Sequence, residues 1–191
     1  MKHAKILAFA GSTRKESFNR KLLALAVELA GKADLDVRHI ELADFPLPIM
    51  DEDLEAEQGQ PAHATEIRRM MLDCDALMLA CPEYNSSITP LMKNVIDWVS
   101  RKETGGGDLG PYKNKKALLI GASPGRFGGQ RSIATVRSIL GNIGVSVFEN
   151  DFTLAGAADA FDEHGQLHTH DHQQRLEVVI KTFADFVSEP R

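Results

Sequence analysis

Apolar residues gather in five short runs along the chain, and within each run they are nearly continuous. Each run is four to seven residues long, which is typical of a strand and too short for a helix. Near-continuous apolar runs are expected where both faces of a strand are buried, as in a parallel sheet. The predicted strands are residues 5–10, 36–42, 76–80, 117–122 and 145–148.

Between the strands, apolar residues recur at helical spacing, as Leu22, Leu25, Ala26 and Leu29 do after the first strand. Strands that alternate with helices indicate a sheet covered by helices on both faces. We therefore predict an α/β fold of one domain over residues 1–191: a flavodoxin-like, doubly wound, five-stranded parallel sheet. The pattern alone leaves the Rossmann strand order open. Four further helices are predicted at about 65–74, 91–101, 130–142 and 174–187.

The predicted sheet directs attention to three loops. In doubly wound sheets, ligands bind beyond the carboxyl ends of the strands, near the point where the strand order reverses. The loops after the first, third and fourth strands are the first loop (residues 11–19), the second loop (82–90) and the third loop (123–129). We expect them to lie side by side at one edge of the sheet.

The first loop is rich in donors for an anion and runs into a helix. Free N–H groups at a helix start favour negative charge, and Arg14 adds charge-assisted hydrogen bonds. Neither common phosphate-loop pattern fits, because Thr13 and Glu16 stand where glycine is required. A plainer interpretation is that Ser17 caps the helix, but this explains only one residue. The polar donors are Ser12, Thr13, Ser17 and Asn19.

The second loop begins with Pro82, which ends the strand, and continues with Glu83, Tyr84 and Asn85. These residues place a charge, a ring and an amide near the switch point. An ordinary strand-to-helix turn, capped by Thr89, would explain the end of this loop but not its beginning.

The third loop contains Ser123 and three glycines. Gly125, Gly128 and Gly129 would allow a planar ligand to approach the backbone closely. A plain flexible turn explains the same glycines equally well.

The amino-acid composition limits the partners and the location that we expect for the protein. The net charge is -5, and its 22 basic and 27 acidic residues are interspersed, so no broad basic face is offered to nucleic acid or anionic lipid. No apolar run is long enough to span a bilayer. We expect a cytoplasmic protein without nucleic-acid or membrane partners. Cys74 and Cys81 bracket one strand, too far apart to bridge, and are predicted to be buried, reduced thiols.

Three apparent motifs carry no predicted chemistry. Residues 121–125 spell G-x-S-x-G, but Pro124 lacks the N–H that a nucleophile elbow needs after its serine. Residues 105–110 spell G-x-G-x-x-G, yet they follow a helix and are predicted to be a flexible connection. The histidines near the C-terminus lie in a polar stretch, and no metal site is predicted there. They are His164, His168, His170 and His172.

Taken together, the three loops resemble those of the NADPH-dependent FMN reductases. GSTRKESFNRKL resembles the phosphate loop of that family, PEYNSSITPLMKNVIDW its flavin-ring segment, and SPGRFGG its third loop. The segments occur in the family's order on the predicted elements, and the resemblance covers about residues 4–140. Three loops in the right order are far more specific than any one of them.

The resemblance implies tightly bound FMN, NADPH or NADH as electron donor, and homodimers or homotetramers. Members of the family reduce small-molecule acceptors: free flavins, quinones, azo dyes or chromate. No catalytic side chain is implied, because the cofactors carry the hydride transfer. The resemblance assigns Ser12, Arg14, Ser17, Phe18 and Asn19 to the FMN phosphate, Pro82, Glu83, Tyr84 and Asn85 to the ring, and Ser123, Gly125 and Gly128 to its other side.

Two other classes of function stay open on the sequence. A flavodoxin-type electron carrier would share the fold and FMN but would not be reduced directly by NADPH. A phosphate-binding regulatory module would share only the first loop.

Overall fold

The structure is a computed structural model that describes residues 4–189, and in it strands alternate with helices as the apolar pattern predicts. The elements in chain order are β1 (Lys5–Ala10), α1 (Phe18–Lys32), β2 (Asp36–His39), a 3₁₀ turn (Leu42–Asp44), α2 (Glu52–Gln58), α3 (Ala62–Asp73), β3 (Ala76–Ala80), β4 (Glu83–Tyr84), β5 (Ser87–Ile88), α4 (Pro90–Val99), β6 (Lys116–Ala122), α5 (Gln130–Asn142), β7 (Ser146–Val147), β8 (Phe152–Leu154) and α6 (His170–Ser188).

The central sheet is parallel and has the order β2-β1-β3-β6-β7. This is the flavodoxin-like order, so the Rossmann alternative is excluded. The chain passes from β1 to β2 on one side and later to β3 on the other. The strand order therefore reverses between β1 and β3, which places the switch point at their carboxyl ends.

Alternate residues of each central strand enter two separate cores. Ile6 and Ala8 pack with α1 and α6 on one face. Leu7 and Phe9 pack with α3, α4 and α5 on the other. Burial on both faces is the reason that these strands are apolar at nearly every position.

The fifth strand is split, which the sequence did not indicate. Only Ser146–Val147 of the predicted segment pairs with the start of β6. The chain then leaves the sheet and returns as β8, which pairs with the end of β6 through Ile120 opposite Phe152. The strand β8 therefore brings the segment after Leu154 to the carboxyl edge, beside the third loop.

Other boundaries differ from the prediction for local reasons. The second strand ends at His39, because residues 42–44 form the 3₁₀ turn. The helix α2 is short and mostly acidic, without an apolar stripe, and Asp51 caps it by accepting hydrogen bonds from Asp53 N and Leu54 N. The last helix begins at His170, so its first turn includes part of the histidine-rich stretch.

Both cysteines are free and buried, as predicted. Cys81 directly follows β3 and Cys74 lies two residues before it, and burial raises the pKa of each thiol. Both therefore stay protonated and unreactive at neutral pH.

Within residues 4–189, no helix is both long and apolar enough to cross a bilayer. In the same part of the chain, no group of three or more histidine, cysteine, aspartate or glutamate side chains is placed to hold a metal ion.

Candidate functional site

The three loops follow β1, β3 and β6, which are neighbours in the sheet, and hydrogen bonds join them into one surface. Thr89 links the second loop to the first, because its Oγ1 donates to the carbonyl oxygen of Gly11 at 2.9 Å and also accepts from Met92 N. The predicted cap of α4 is thus confirmed. Asn19 links the first loop to the end of β6, because its amide brackets the main chain of Ala122 at 2.8 and 3.0 Å.

The first loop offers an unusual number of unused main-chain donors. Several main-chain N–H groups in the loop and in the first turn of α1 donate no hydrogen bond within the described part of the chain. Unpaired N–H groups at a helix start carry partial positive charge and suit an anion. The residues concerned are Ser12, Thr13, Lys15, Glu16, Phe18, Asn19 and Arg20.

The side chains of the first loop agree with this chemistry. Ser17 occupies the N-cap position but makes no capping hydrogen bond, so its hydroxyl is available to a ligand. Arg14 is exposed, lies over the ring of Phe18 at 5.5 Å, and forms no ion pair within residues 4–189. Glu16, the carboxylate of the loop, is paired with Lys21 at 2.9 Å, which lowers the pKa of the Glu16 carboxyl. The loop can therefore hold a phosphate group without an unpaired negative charge beside it.

Asn19 has a role that sequence reasoning did not separate from ligand binding. Its buried side chain uses both its oxygen and its nitrogen to join α1 to Ala122, 103 residues further on. The predicted phosphate contact of Asn19 therefore rests on its main-chain N–H, while the side chain fixes the distance between the first and third loops.

The second loop folds back as a small hairpin, which was not predicted. After buried Pro82, β4 pairs with β5, and a two-residue turn of Asn85 and Ser86 joins them, with φ of 51° and 69°. Two positive φ values define a type I′ turn, whose first position favours asparagine, whereas a positive φ costs a serine about 1–2 kcal/mol. Neither N–H group of the turn is bonded within residues 4–189, and Tyr84 is 54% exposed. The turn thus presents two donors and a ring.

Glu83, at the start of this hairpin, is paired with Arg131 in the first turn of α5. The side chain of Glu83 is 9% exposed. Arg131 donates from its main-chain N to Oε2 at 3.2 Å and from Nε to Oε1 at 2.7 Å. Sequence reasoning missed Arg131. A possible signal is that the first turn of a helix favours acidic residues over basic ones, so an arginine there suggests a nearby carboxylate.

The third loop packs against the segment that follows β8. Ser123 N donates to Leu154 O at 3.1 Å, and Ala157 N donates to Ser123 O at 3.0 Å. Gly128 has a φ of 59°, and a Cβ there would lie 2.9 Å from Leu154 N. The protein's own backbone therefore requires glycine at Gly128. By contrast, a Cβ on Gly125 would meet nothing closer than Ser123 Oγ at 3.7 Å, so Gly125 keeps the predicted freedom to face a ligand.

Phe127 completes the rim of the site. Its ring is 47% exposed and is flanked by the guanidinium groups of Arg126 and Arg131, each 4.8 Å from the ring centroid. The rim of the third loop is thus aromatic and positively charged, which suits a ligand that combines a flat ring with phosphate.

A doubly wound parallel sheet with a turn rich in free N–H groups, a hairpin and a glycine loop at its switch point is typical of the flavodoxin-like class of nucleotide-binding proteins. A known archaeal flavodoxin shares this fold, with a TM-score of 0.64 over 97% of this chain and 99% of its own at 10% identity. The chain belongs to the NADPH-dependent FMN reductase family, whose model matches residues 4–159.

Relatives and solved structures agree with this assignment. The chain is 35% identical to an NAD(P)H-dependent FMN reductase of Pseudomonas aeruginosa, over 85% of this chain and 84% of the relative. It is 34% identical to an NAD(P)H:quinone oxidoreductase of Solanum tuberosum, over 92% and 89%. FerB of Paracoccus denitrificans, a flavoenzyme NAD(P)H:(acceptor) oxidoreductase, superposes with a TM-score of 0.81 at 26% identity, over 96% of this chain and 97% of its own.

The chain is therefore an oxidoreductase with FMN as cofactor and NAD(P)H as co-substrate, rather than a flavodoxin-type electron carrier. The residues present fit FMN, because the first loop combines free N–H groups, the Ser17 hydroxyl and Arg14, and the hairpin presents further donors at the switch point.

Proposed function

We propose that the three loops hold FMN and that the enzyme passes electrons from NADPH or NADH to a small-molecule acceptor, with quinones as the favoured class. The observation that carries the proposal is the series of unpartnered N–H groups in the first loop beside the hairpin of the second. The name of the Solanum tuberosum relative supports a quinone acceptor. Free flavins, azo dyes and chromate are the other acceptors to be tested.

The residues of each loop have distinct proposed tasks. The first loop binds the phosphate through main-chain N–H groups, Ser12, Ser17 and Arg14. The second loop donates hydrogen bonds to the flavin ring from its turn, and the ring of Tyr84 is exposed beside it. The third loop lies against the other side through Ser123 and Gly125. When bound, FMN accepts a hydride from the nicotinamide and passes electrons on, so the protein's task is to bind and orient the two rings.

The proposal is tested by kinetics with the purified protein. We expect yellow protein, quenching of FMN fluorescence on titration, and steady NADPH consumption when a quinone is added. If NADPH and the acceptor use the same ring face in turn, double-reciprocal plots at several acceptor concentrations are parallel, as in a ping-pong cycle. Colourless protein that leaves FMN fluorescence unchanged would contradict the FMN site. Intersecting lines, with a demonstrated ternary complex, would contradict the shared face.

We also infer that the enzyme is a homodimer or homotetramer. An apolar cleft of about 420 Å³ lies between α4 and the segment after the 3₁₀ turn, and Ile49 beside it is 84% exposed. The segment is held in place, because Met50 N donates to Asn94 Oδ1 and Trp98 Nε1 donates to Pro48 O, both at 2.8 Å. An apolar side chain exposed on an anchored segment supports an interface.

Light scattering tests the inferred assembly. We expect the mass of a dimer or tetramer, and a shift toward monomer for Ile49→Glu, because a charge would be buried without a partner. The matched control is Leu72→Glu, which replaces another exposed apolar residue, on α3. A monomeric wild-type protein at micromolar concentration would refute the inference.

A cytoplasmic location is proposed as well. The chain has only two cysteines, which cannot bridge each other, so no disulfide between them supports the fold. Proteins of a reducing compartment likewise fold without disulfides.

A further inference from the structure

The ion pair between Glu83 and Arg131 joins two of the three loops at the candidate site. The carboxylate accepts from both the main-chain N–H and the guanidinium of Arg131. It also lies at the N-terminal end of α5, where the helix dipole favours negative charge. The negative charge of Glu83 is therefore balanced within the protein, although the carboxylate stands only two residues before the turn that is proposed to bind the flavin.

The hairpin that carries this turn is short and packs against α5. Its strands β4 and β5 contain two residues each, and a two-stranded hairpin of this size is not stable alone in water. Ser86 has a positive φ, which is uncommon for serine. Such a backbone persists only when contacts around it impose it, and the Glu83–Arg131 pair supplies one such contact from α5.

We propose that Glu83 and Arg131 form a charge-neutral clamp that positions the hairpin for the flavin ring and keeps the charge of Glu83 from opposing flavin reduction. Both are positioning residues in this proposal, which rests on the FMN site proposed above. Reduction adds negative charge to a flavin. An unpaired carboxylate nearby would therefore disfavour it.

The two single variants are expected to shift the reduction potential of bound FMN in opposite directions. In Arg131→Met, the carboxylate keeps the main-chain N–H but loses the guanidinium that balances its charge, so the potential falls. FMN binding weakens by about tenfold, the effect of one lost charge-assisted hydrogen bond. In Glu83→Gln, an amide oxygen still accepts from the N–H of Arg131, while the guanidinium is no longer neutralised, so the potential rises. Potentials are measured by spectroscopic redox titration, and binding by fluorescence.

The double variant and a matched control complete the experiment. Glu83→Gln combined with Arg131→Met removes both charges, and we expect it to recover most of the potential lost in Arg131→Met. Arg69→Met is the matched control, because it breaks another arginine–glutamate pair, with Glu103 at 3.0 Å, outside the three loops. Both side chains of that pair are exposed, so this variant should change FMN affinity by less than about twofold. Thermal melts of the apoproteins check that each variant folds.

Three results would overturn the proposal. One is an Arg131→Met protein with the wild-type affinity and potential. Another is a double variant with a potential no higher than that of Arg131→Met. If Arg131→Met does not fold, the remaining decisive result is a Glu83→Gln protein whose potential is unchanged or lower. Failure of the wild-type protein to bind FMN would instead refute the proposed function, and the clamp with it, so the two failures are distinguishable.

Discussion

Replacing Arg14 by alanine is expected to weaken FMN binding by about tenfold to a hundredfold, whereas replacing Lys15 by alanine should change it little. Arg14 lies over the ring of Phe18 in the first turn of α1, and charge-assisted hydrogen bonds to phosphate are worth about 1.5–3 kcal/mol. Each 1.4 kcal/mol is about a factor of ten in affinity. Lys15 is exposed, and its side chain forms no ion pair within the described part of the chain.

Riboflavin separates the phosphate contribution from ring binding. It has the same ring but no phosphate, so its affinity should be weaker in the wild type and almost indifferent to Arg14→Ala. Both ligands can be titrated against each variant by flavin fluorescence. Equal losses for FMN and riboflavin would mean that the first loop shapes the pocket generally, and that its assignment as a phosphate site is wrong.

The parts of the fold that the sequence predicted are those defined by burial on both faces. The strands β1 and β3 coincide with their predicted ranges. The strand β6 begins one residue before its predicted start, at buried Lys116. The aliphatic stem of this lysine lies in the sheet, while its Nζ donates to the carbonyl oxygen of Glu189 at 2.9 Å. Hydropathy treats such a lysine as polar, and so it marks the strand boundary one residue late.

The parts that were not predicted are short and depend on distant contacts. The hairpin strands have two residues each and β8 has three, too few for a period to be recognised. What holds them lies elsewhere in the chain: Arg131 for the hairpin and β6 for β8. Such contacts leave no signal in the apolar pattern of the short strands themselves.

For the candidate site, the sequence predicted which loops meet, because the rule of the switch point depends only on strand order. It did not separate residues that are available to a ligand from residues that join the loops to one another. The side chain of Asn19 and the backbone of Gly128 are used within the protein, whereas the side chain of Arg14 forms no ion pair within residues 4–189 and a Cβ on Gly125 would meet little. That distinction requires the distances between segments that are far apart in the sequence.

Gly128→Ala is expected to destabilise the protein by about 2–5 kcal/mol. The left-handed backbone at φ of 59° costs an alanine about 1–2 kcal/mol. In addition, the new Cβ would lie 2.9 Å from Leu154 N and 3.0 Å from Ala155 N, and forced overpacking costs about 1–3 kcal/mol. For a chain of this size, such a loss lowers the melting temperature by about 4–20 °C, which calorimetry or circular dichroism would measure.

Gly125→Ala is the matched control, because it adds the same methyl group to the same loop. A Cβ at Gly125 has open space around it and the φ is not positive, so stability should stay within about 0.5 kcal/mol of the wild type. If Gly125 faces the flavin, this variant should weaken FMN binding while its melting temperature is unchanged. The two glycines would then differ in kind, one required by the protein's own backbone and the other by the ligand. If the Gly128→Ala protein has the melting temperature of the wild type, the segment after β8 moves to make room for the new methyl group. The backbone contacts would then not fix the third loop in place.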